Sequence, residues 1–310
     1  MKNCTVFAPA TVANVGSGFD IFGFALCDIG DVVQVRESST PGLVIDSIIG
    51  ADNIPLEPEK NVCTVAAQAL LNSLEKKPSN GYSFSITKKI AAGSGLGSSA
   101  SSSAAAVVAL NELLGSPFSR HELIPFAMKG EALASGAEHA DNVAPSILGG
   151  FTLVQSYEPL RVVKLHYPED LVATIVHPHV EVKTADSKRI LRQSIPLKTA
   201  ITQWANVGGL VAGLAQEDFE LIGHSLQDVV AEPTRSMLIP MYEQVKILSK
   251  ELGALGCSIS GSGPSIFMLS NAMNIAQSLA ESLKDLYMVN LISCDVYLSK
   301  INRMGCQVIQ

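Results

Sequence analysis

The chain of 310 residues is 47% hydrophobic and only 16% charged, a balance that suits a buried globular core and excludes a disordered chain. Its length fits one large domain or, better, two of about 150 residues each. The formal net charge of −7 argues against a dedicated nucleic-acid binder, which carries a basic face, yet leaves room for a small cationic pocket that holds phosphate.

Six cysteines (Cys4, Cys27, Cys63, Cys257, Cys294, Cys306) are scattered without a C-x-x-C pair. Free thiols in a reducing cytoplasm are therefore expected, not a disulfide framework or a zinc site. The opening stretch MKNCTVFAPATVANVG is interrupted by Asn3, Thr5, Pro9 and Asn14 and does not read as a secretory leader. Residues 90–111 carry no charge, but they are built of Gly, Ser and Ala, whose transfer into lipid is poorly driven. No membrane span is expected, and the chain reads as cytoplasmic.

In chain order, Cys4–Phe7 and Val32–Arg36 read as strands, the second partly alternating and β-branched. The stretch between them, APATVANVGSGFDIFG, is too irregular for one element. Helical spacing follows over Asn61–Leu74, with Asn61 placed to cap it. Tyr82–Ile86 alternates as a strand, and a glycine-rich loop at 93–97 leads into a long Ala-rich helix. Gly115 and Pro117 stop that helix near Leu114.

A further helix is predicted over His121–Glu138, then strands at Phe151–Gln155, Val162–Leu165 and Leu171–His177. Thr199–Ala215, Phe219–Val230 and Met241–Glu251 have helical patterns. Ser258–Ser260 and Ser265–Leu269 read as strands around a glycine turn, followed by a helix at 272–285 and a strand near Asp295–Leu298. Strands mixed with helices in no strict alternation point to an α+β protein in two lobes. The boundary is placed at Ser156–Pro159, giving domains 1–156 and 157–310.

The sharpest local signal is Gly93-Ser94-Gly95-Leu96-Gly97-Ser98-Ser99, lying between a strand and a helix. Alternate glycines allow unusual dihedrals and close approach of a ligand. The helix that follows offers free N–H groups and its positive dipole end to an anion. No lysine follows Gly97 as a Walker A loop requires, and the G-x-G-x-G spacing is not the dinucleotide fingerprint. A tight strand-to-helix turn is the bland alternative; the paired serines at an uncharged helix start favour phosphate. The second turn, Ser260-Gly261-Ser262-Gly263-Pro264-Ser265, reads on its own as a hairpin.

Three segments taken in order carry more than any one of them: APATVANVGSGFD at 8–20, GSGLGSSA at 93–100 and SISGSGPS at 258–265. In these the chain resembles the GHMP kinase superfamily. Within it the likeness is closest to the homoserine kinases, through Pro9–Asn14 with Gly18-Phe19-Asp20, GAEHADNVAPSILGGF at 136–151, TADSKRIL at 184–191 and Glu232-Pro233-Thr234-Arg235. Mevalonate- and galactose-type members carry a cation shortly after the first Ala-Pro, where this chain has Thr11 and Asn14.

The resemblance implies a ribosomal-S5-domain-2-like N-terminal lobe that binds ATP and a ferredoxin-like C-terminal lobe. It also implies transfer of phosphate from ATP to the hydroxyl of L-homoserine in threonine biosynthesis, with Mg²⁺, by a homodimer. Gly93, Ser94, Gly95, Leu96, Gly97, Ser98 and Ser99 would bind phosphate, and Asn61 would touch the adenine. Ser99 and Glu131 would hold Mg²⁺, with Ser98 as the rival hydroxyl. A homoserine pocket needs a cation, an anion and a polar orienter. Arg235 meets the carboxylate, Asp20 the ammonium beside Asn14 and His139, and Asn142 with Asp141 the reacting hydroxyl. Thr184, a cation at Lys188 or Arg189, and Gly261 complete the set.

Each residue also has an ordinary reading: Asp20 as a turn residue, His139 as a surface histidine, Asp141-Asn142 as a helix cap. Two positions depart from the family pattern. Ala91 stands where the phosphate loop usually opens with proline, and Lys188 stands where an arginine follows T-A-x-x. Asp141 is the one carboxylate considered as a base, and whether any base is used stays open. Other readings are a kinase of another small alcohol and a non-catalytic ATP-binding module. A hydrolase elbow at Gly223-His224-Ser225 is set aside, because it lies inside a helical apolar pattern.

Overall fold

The computed structural model describes residues 2–180, 182, 187 and 189–309. Thr184 and Lys188 lie outside them.

The N-terminal strand is longer than its composition suggests. β1 (Asn3–Ala13) and β2 (Phe22–Ser38) pair antiparallel along nearly their whole length and take in half of the stretch expected to be irregular. Pro9 is accommodated because the register shifts between Pro9 and Thr11, a bulge where no ladder N–H is required. The Pro9 carbonyl then accepts from Ser101 Oγ (2.6 Å) and Ser146 Oγ (3.2 Å), tying the strand to the helices below.

Two strands share the other edge of β2. β4 (Gly81–Thr87) pairs with Val32–Ser38, and β5 (Phe151–Tyr157) pairs with Phe22–Phe24. β3 (Leu43–Ile49) runs parallel beside β4. β6 (Leu160–Leu165) pairs with β5, and β11 (Gln307–Val308) adds to β1, completing a seven-stranded sheet. The sheets therefore do not divide at 156/157: a hairpin strand beyond that point and the end of the chain both belong to the first sheet.

Helix α1 (Val62–Ser73), α2 (Ser98–Leu113), α3 (Arg120–Ser135) and α4 (Val143–Leu148) cover this sheet. Every residue of α2 from Ala100 to Asn111 is buried, which explains the uncharged run: a helix packed on all sides has no solvent face to charge. α3 starts one residue earlier than expected, at a complete capping box between Ser119 and Glu122, and ends where Gly136 adopts a left-handed conformation.

A second, antiparallel sheet has the order β10-β7-β9-β8, from β7 (Val172–Pro178), β8 (Gly256–Ile259), β9 (Ile266–Ser270) and β10 (Cys294–Lys300). Around it lie α5 (Leu197–Gln216), α6 (Phe219–Ser225), α7 (Glu232–Arg235), α8 (Tyr242–Glu251) and α9 (Met273–Val289). α6 stops well short of Val230, because the Asp228 carboxylate takes the N–H groups of Val230, Ala231 and Glu232 and opens a new turn there. Ser225 is buried within α6, so Gly223-His224-Ser225 is not a nucleophile turn. No helix among the described residues is long and apolar enough to cross a membrane. All six cysteines are free, and burial pushes the Cys63, Cys257 and Cys306 thiols up to about 12.

A core shared by both sheets joins the lobes: Phe24 lies 4.9 Å from Phe151 and meets Phe267 edge-on at 5.8 Å between ring centroids. Replacing Phe267 with Ala is expected to lower stability by about 3–5 kcal/mol, the cost of a large-to-small change in a closed aromatic core. A denaturant midpoint that does not move would show that the lobes are held elsewhere.

Candidate active site

Two glycine turns from different lobes meet. Gly93, Gly95 and Gly97 all have positive φ, and Gly97 caps α2 in the left-handed region, leaving the first N–H groups of the helix open to the cleft. A Cβ on Gly95 would lie 2.6 Å from the Ser260 carbonyl and 2.8 Å from that of Gly263. That close approach is why the position is glycine. Ser260 Oγ donates to the Gly95 carbonyl (2.7 Å), and the Ser265 N–H reaches Ser94 O (3.3 Å). The turn that read as a hairpin is one, joining β8 to β9, and its outer face closes one side of the cleft.

The strand-end segment 11–20 supplies the next wall. The Thr11 N–H donates to Leu96 O (3.1 Å), and Thr11 Oγ1 donates to Asn142 Oδ1 (2.7 Å), fixing the orientation of that amide. Asn14 takes left-handed dihedrals, donates through Nδ2 to Gly261 O (2.7 Å) and accepts the Asp20 N–H through Oδ1 (2.7 Å). Arg235, 4% exposed on α7, donates to the same Gly261 carbonyl and to Ser187 O, both at 3.2 Å, and stacks 4.8 Å over the Phe19 ring. Burial draws its guanidinium below the usual value against the opposing pull of Asp20, Asp228 and Asp141.

Carboxylates gather on the opposite side. Ser99 Oγ donates to Glu131 Oε2 at 2.5 Å, whereas Ser98 Oγ turns away and donates to Ile90 O (2.9 Å). Successive helix positions differ by about 100°, so of the two lining serines only the Ser99 hydroxyl points to Glu131. Asp20 lies 3.9 Å from His139 Nδ1. Asp141 is 4% exposed, and its Oδ1 has no hydrogen-bond partner. Burial first, then the charges of Asp20 and Glu131, push its carboxyl from 3.8 up to about 7, against the backbone N–H groups of Asp141 and Asn142.

One cleft of about 490 Å³ takes in most of the residues read from sequence: Asn14, Asp20, Asn61, the loop glycines, Ser94, Ser98, Ser99, Glu131, His139, Asp141, Asn142, Arg235 and Gly261. Leu96 sits beneath it, with its side chain in the core shared by the lobes. Asn61 lines the cleft, but both ends of its amide are used locally, accepting from the Cys63 N–H (3.0 Å) and donating to Pro55 O (2.9 Å). Arg189 is exposed and lies outside the lining: Ser187 faces inward, donating to Ser262 O (3.0 Å), and a helical position two residues on points roughly 200° away. Sequence reasoning missed Ser187, Lys88, Lys60 and the Phe19 ring, and gave Thr11 no contact of its own. Phe19 was quoted within a motif without a role, and nothing local marks Ser187.

The family model "GHMP kinases N terminal domain" matches residues 61–150, and "GHMP kinases C terminal" matches 210–285. A homoserine kinase of Chloroherpeton thalassium is 44% identical over 319 aligned residues, covering 100% of both chains. One of Chlorobaculum tepidum is 43% identical, covering 100% of this chain and 99% of its own. The crystal structure of homoserine kinase from Cytophaga hutchinsonii superposes with a TM-score of 0.96 at 51% identity, covering 100% of this chain and 98% of that one. With its whole length thus matched, the chain belongs to the homoserine kinase family of the GHMP kinases.

Proposed function

We propose that the cleft transfers the γ-phosphoryl group of ATP directly and in line to the side-chain hydroxyl of L-homoserine, giving O-phospho-L-homoserine for threonine biosynthesis. The observation that carries this reading is a buried guanidinium and two carboxylates, Arg235, Asp20 and Asp141, in the same cleft as the helix N-terminus at Ser98. An amino acid is the small alcohol that brings both a carboxylate and an ammonium to such a pocket. The full-length likeness to homoserine kinases supports the same substrate.

Phosphoryl transfer asks mainly for positioning and neutralisation of charge. Arg235 takes the α-carboxylate, Asp20 and His139 face the ammonium, and Asn142, held by Thr11, orients the hydroxyl. The N–H groups of the loop and of the first turn of α2 receive phosphate oxygens. Ser99 and Glu131 fit Mg²⁺: they are two hard oxygen donors side by side, and the rest of the ion's shell would come from water and phosphate oxygens. When bound, the ion neutralises charge on the β- and γ-phosphates. The enzyme acts in the cytoplasm as a dimer on this reading, in keeping with its free thiols; a single-chain mass in light scattering would remove the dimer.

ADP release in a coupled assay with MgATP should depend on L-homoserine, and not on L-serine, mevalonate or galactose. Release with another acceptor alone would keep the kinase and discard the pocket assignment; no acceptor-dependent release would favour a binding module. Ser99→Ala or Glu131→Ala should each lower kcat by roughly 10²–10³. Near-normal turnover in both would remove the metal site.

Asp141 gives the reaction a pH limb. Beside Asn142, its ionised form accepts a hydrogen bond from the reacting hydroxyl and its neutral form has lost that charge, so kcat/KM for homoserine should fall as pH drops below about 7. Stability runs the other way. The free-chain carboxyl ionises near 3.8 and the folded one near 7, so between them the folded enzyme holds the extra proton and loses stability as pH rises. Asp141→Asn should flatten both trends; a kcat/KM limb near pH 7 that survives it belongs to another group.

A further inference from the structure

The segment carrying the phosphate loop leaves the first sheet after Thr87 and enters α2 at Ser98, and both ends are tied to one buried ion pair. Asp31, fully buried on β2, accepts the N–H groups of Lys89 (2.9 Å) and Ile90 (3.2 Å) through Oδ1. Its Oδ2 takes the Lys88 ammonium and the Ser102 hydroxyl (2.9 Å). Lys88 in turn donates to Ser98 O and to Ser102 Oγ, both at 2.9 Å. Ser98 Oγ closes the ring by donating to Ile90 O. The entry strand, the loop's first residues and the first turns of α2 thus share a single hydrogen-bonded knot, in which every proton of the ammonium and both carboxylate oxygens are engaged.

Two charges buried this deeply are not an economical source of stability, since desolvation offsets their attraction and an apolar pair of like volume does as well. What an apolar pair cannot supply is direction. The knot fixes how far apart the ends of the loop stand, and so where the N–H groups of residues 93–99 point. We propose that Asp31 and Lys88 are positioning residues for the nucleotide, holding the two ends of the phosphate loop at a fixed spacing through hydrogen bonds. The proposal rests on reading residues 93–99 as the phosphate site.

In the full-length enzyme, Asp31→Asn should raise KM for MgATP by about tenfold or more, the scale of a displaced binding group. KM for the acceptor should change by less than about twofold, because Arg235, Asp20 and Asn142 make no contact with the pair. Equal rises in both KM values, or a lower melting temperature with unchanged KM for MgATP, would overturn the positioning role. If Asp31→Asn does not fold, Ser102→Ala, which removes one contact from each charge, is read in the same way. Amide exchange separates this idea from the one beneath it. If ADP fails to protect residues 93–99 in the unaltered enzyme, the phosphate-site reading falls; if protection is equal in the variant, only the clamp falls.

Discussion

The backbone contact between Gly95 and the turn at Ser260–Gly263 governs the geometry of the whole cleft. Ser260 Oγ bonds the Gly95 carbonyl, Gly261 donates its N–H to Ala13 O (3.0 Å), and Gly261 O receives both Asn14 and Arg235. One turn of the second lobe therefore touches the phosphate loop, the end of β1 and the guanidinium of α7 at once. Any side chain at Gly95 would force these apart, and the spacing between the phosphate end and the acceptor end of the cleft would go with it. Rigid placement of two reactants is the larger part of what such an enzyme contributes, so this contact links fold to chemistry more directly than any single charged residue.

Charge in the cleft follows from the same geometry. Asp20, Glu131 and Asp141 stand close enough for the first two to raise the third, and the partnerless Oδ1 of Asp141 adds a desolvation cost. A cluster of that kind is unfavourable alone and becomes favourable when cations arrive. The reaction brings two, a substrate ammonium and a divalent ion, on the reading given above. Lys88 could in principle have neutralised the cluster, but its ammonium is fully engaged with Asp31, Ser98 and Ser102. Lys88 thus serves the loop, and of Lys88 and Arg235, both buried, only Arg235 faces the carboxylates of the cleft.

Much of this was legible in the sequence because glycines, capping residues and apolar periodicity act locally. The Asn61 cap, the helix after Gly97 and the hairpin at 260–265 need no tertiary information. The full extent of β1 was not legible: Pro9, Ala10 and Thr11 are poor strand formers alone, and they are held extended by β2, Ser101 and Ser146. β11 has only two residues and forms because β1 offers it an edge. In the site, chemistry-bearing residues near a motif were found, while Ser187 and Phe19 were not, since each contributes only through where Arg235 happens to lie. Arg189 shows the converse. Its charge was visible, but the rotation of a helical turn that carries it out of the cleft was not.

The acceptor wall shows how local strain can serve a site. Asn14 and Asp20 both hold positive φ (57° and 59°), an uncommon conformation for residues other than glycine, although Asn and Asp tolerate it best. The turn is held by the Asn14 amide: Oδ1 accepts the Asp20 N–H, and Nδ2 donates to Gly261 O of the second lobe. A glycine at either position would adopt the same turn with less strain but would carry no amide or carboxylate into the cleft. On the reading proposed above, the Asn14 amide that stabilises the turn also lines the acceptor end of the cleft, beside the Asp20 carboxylate that the same turn presents. That arrangement also ties the acceptor pocket to the lobe contact at Gly261: the wall holds its shape only while the two glycine turns remain together.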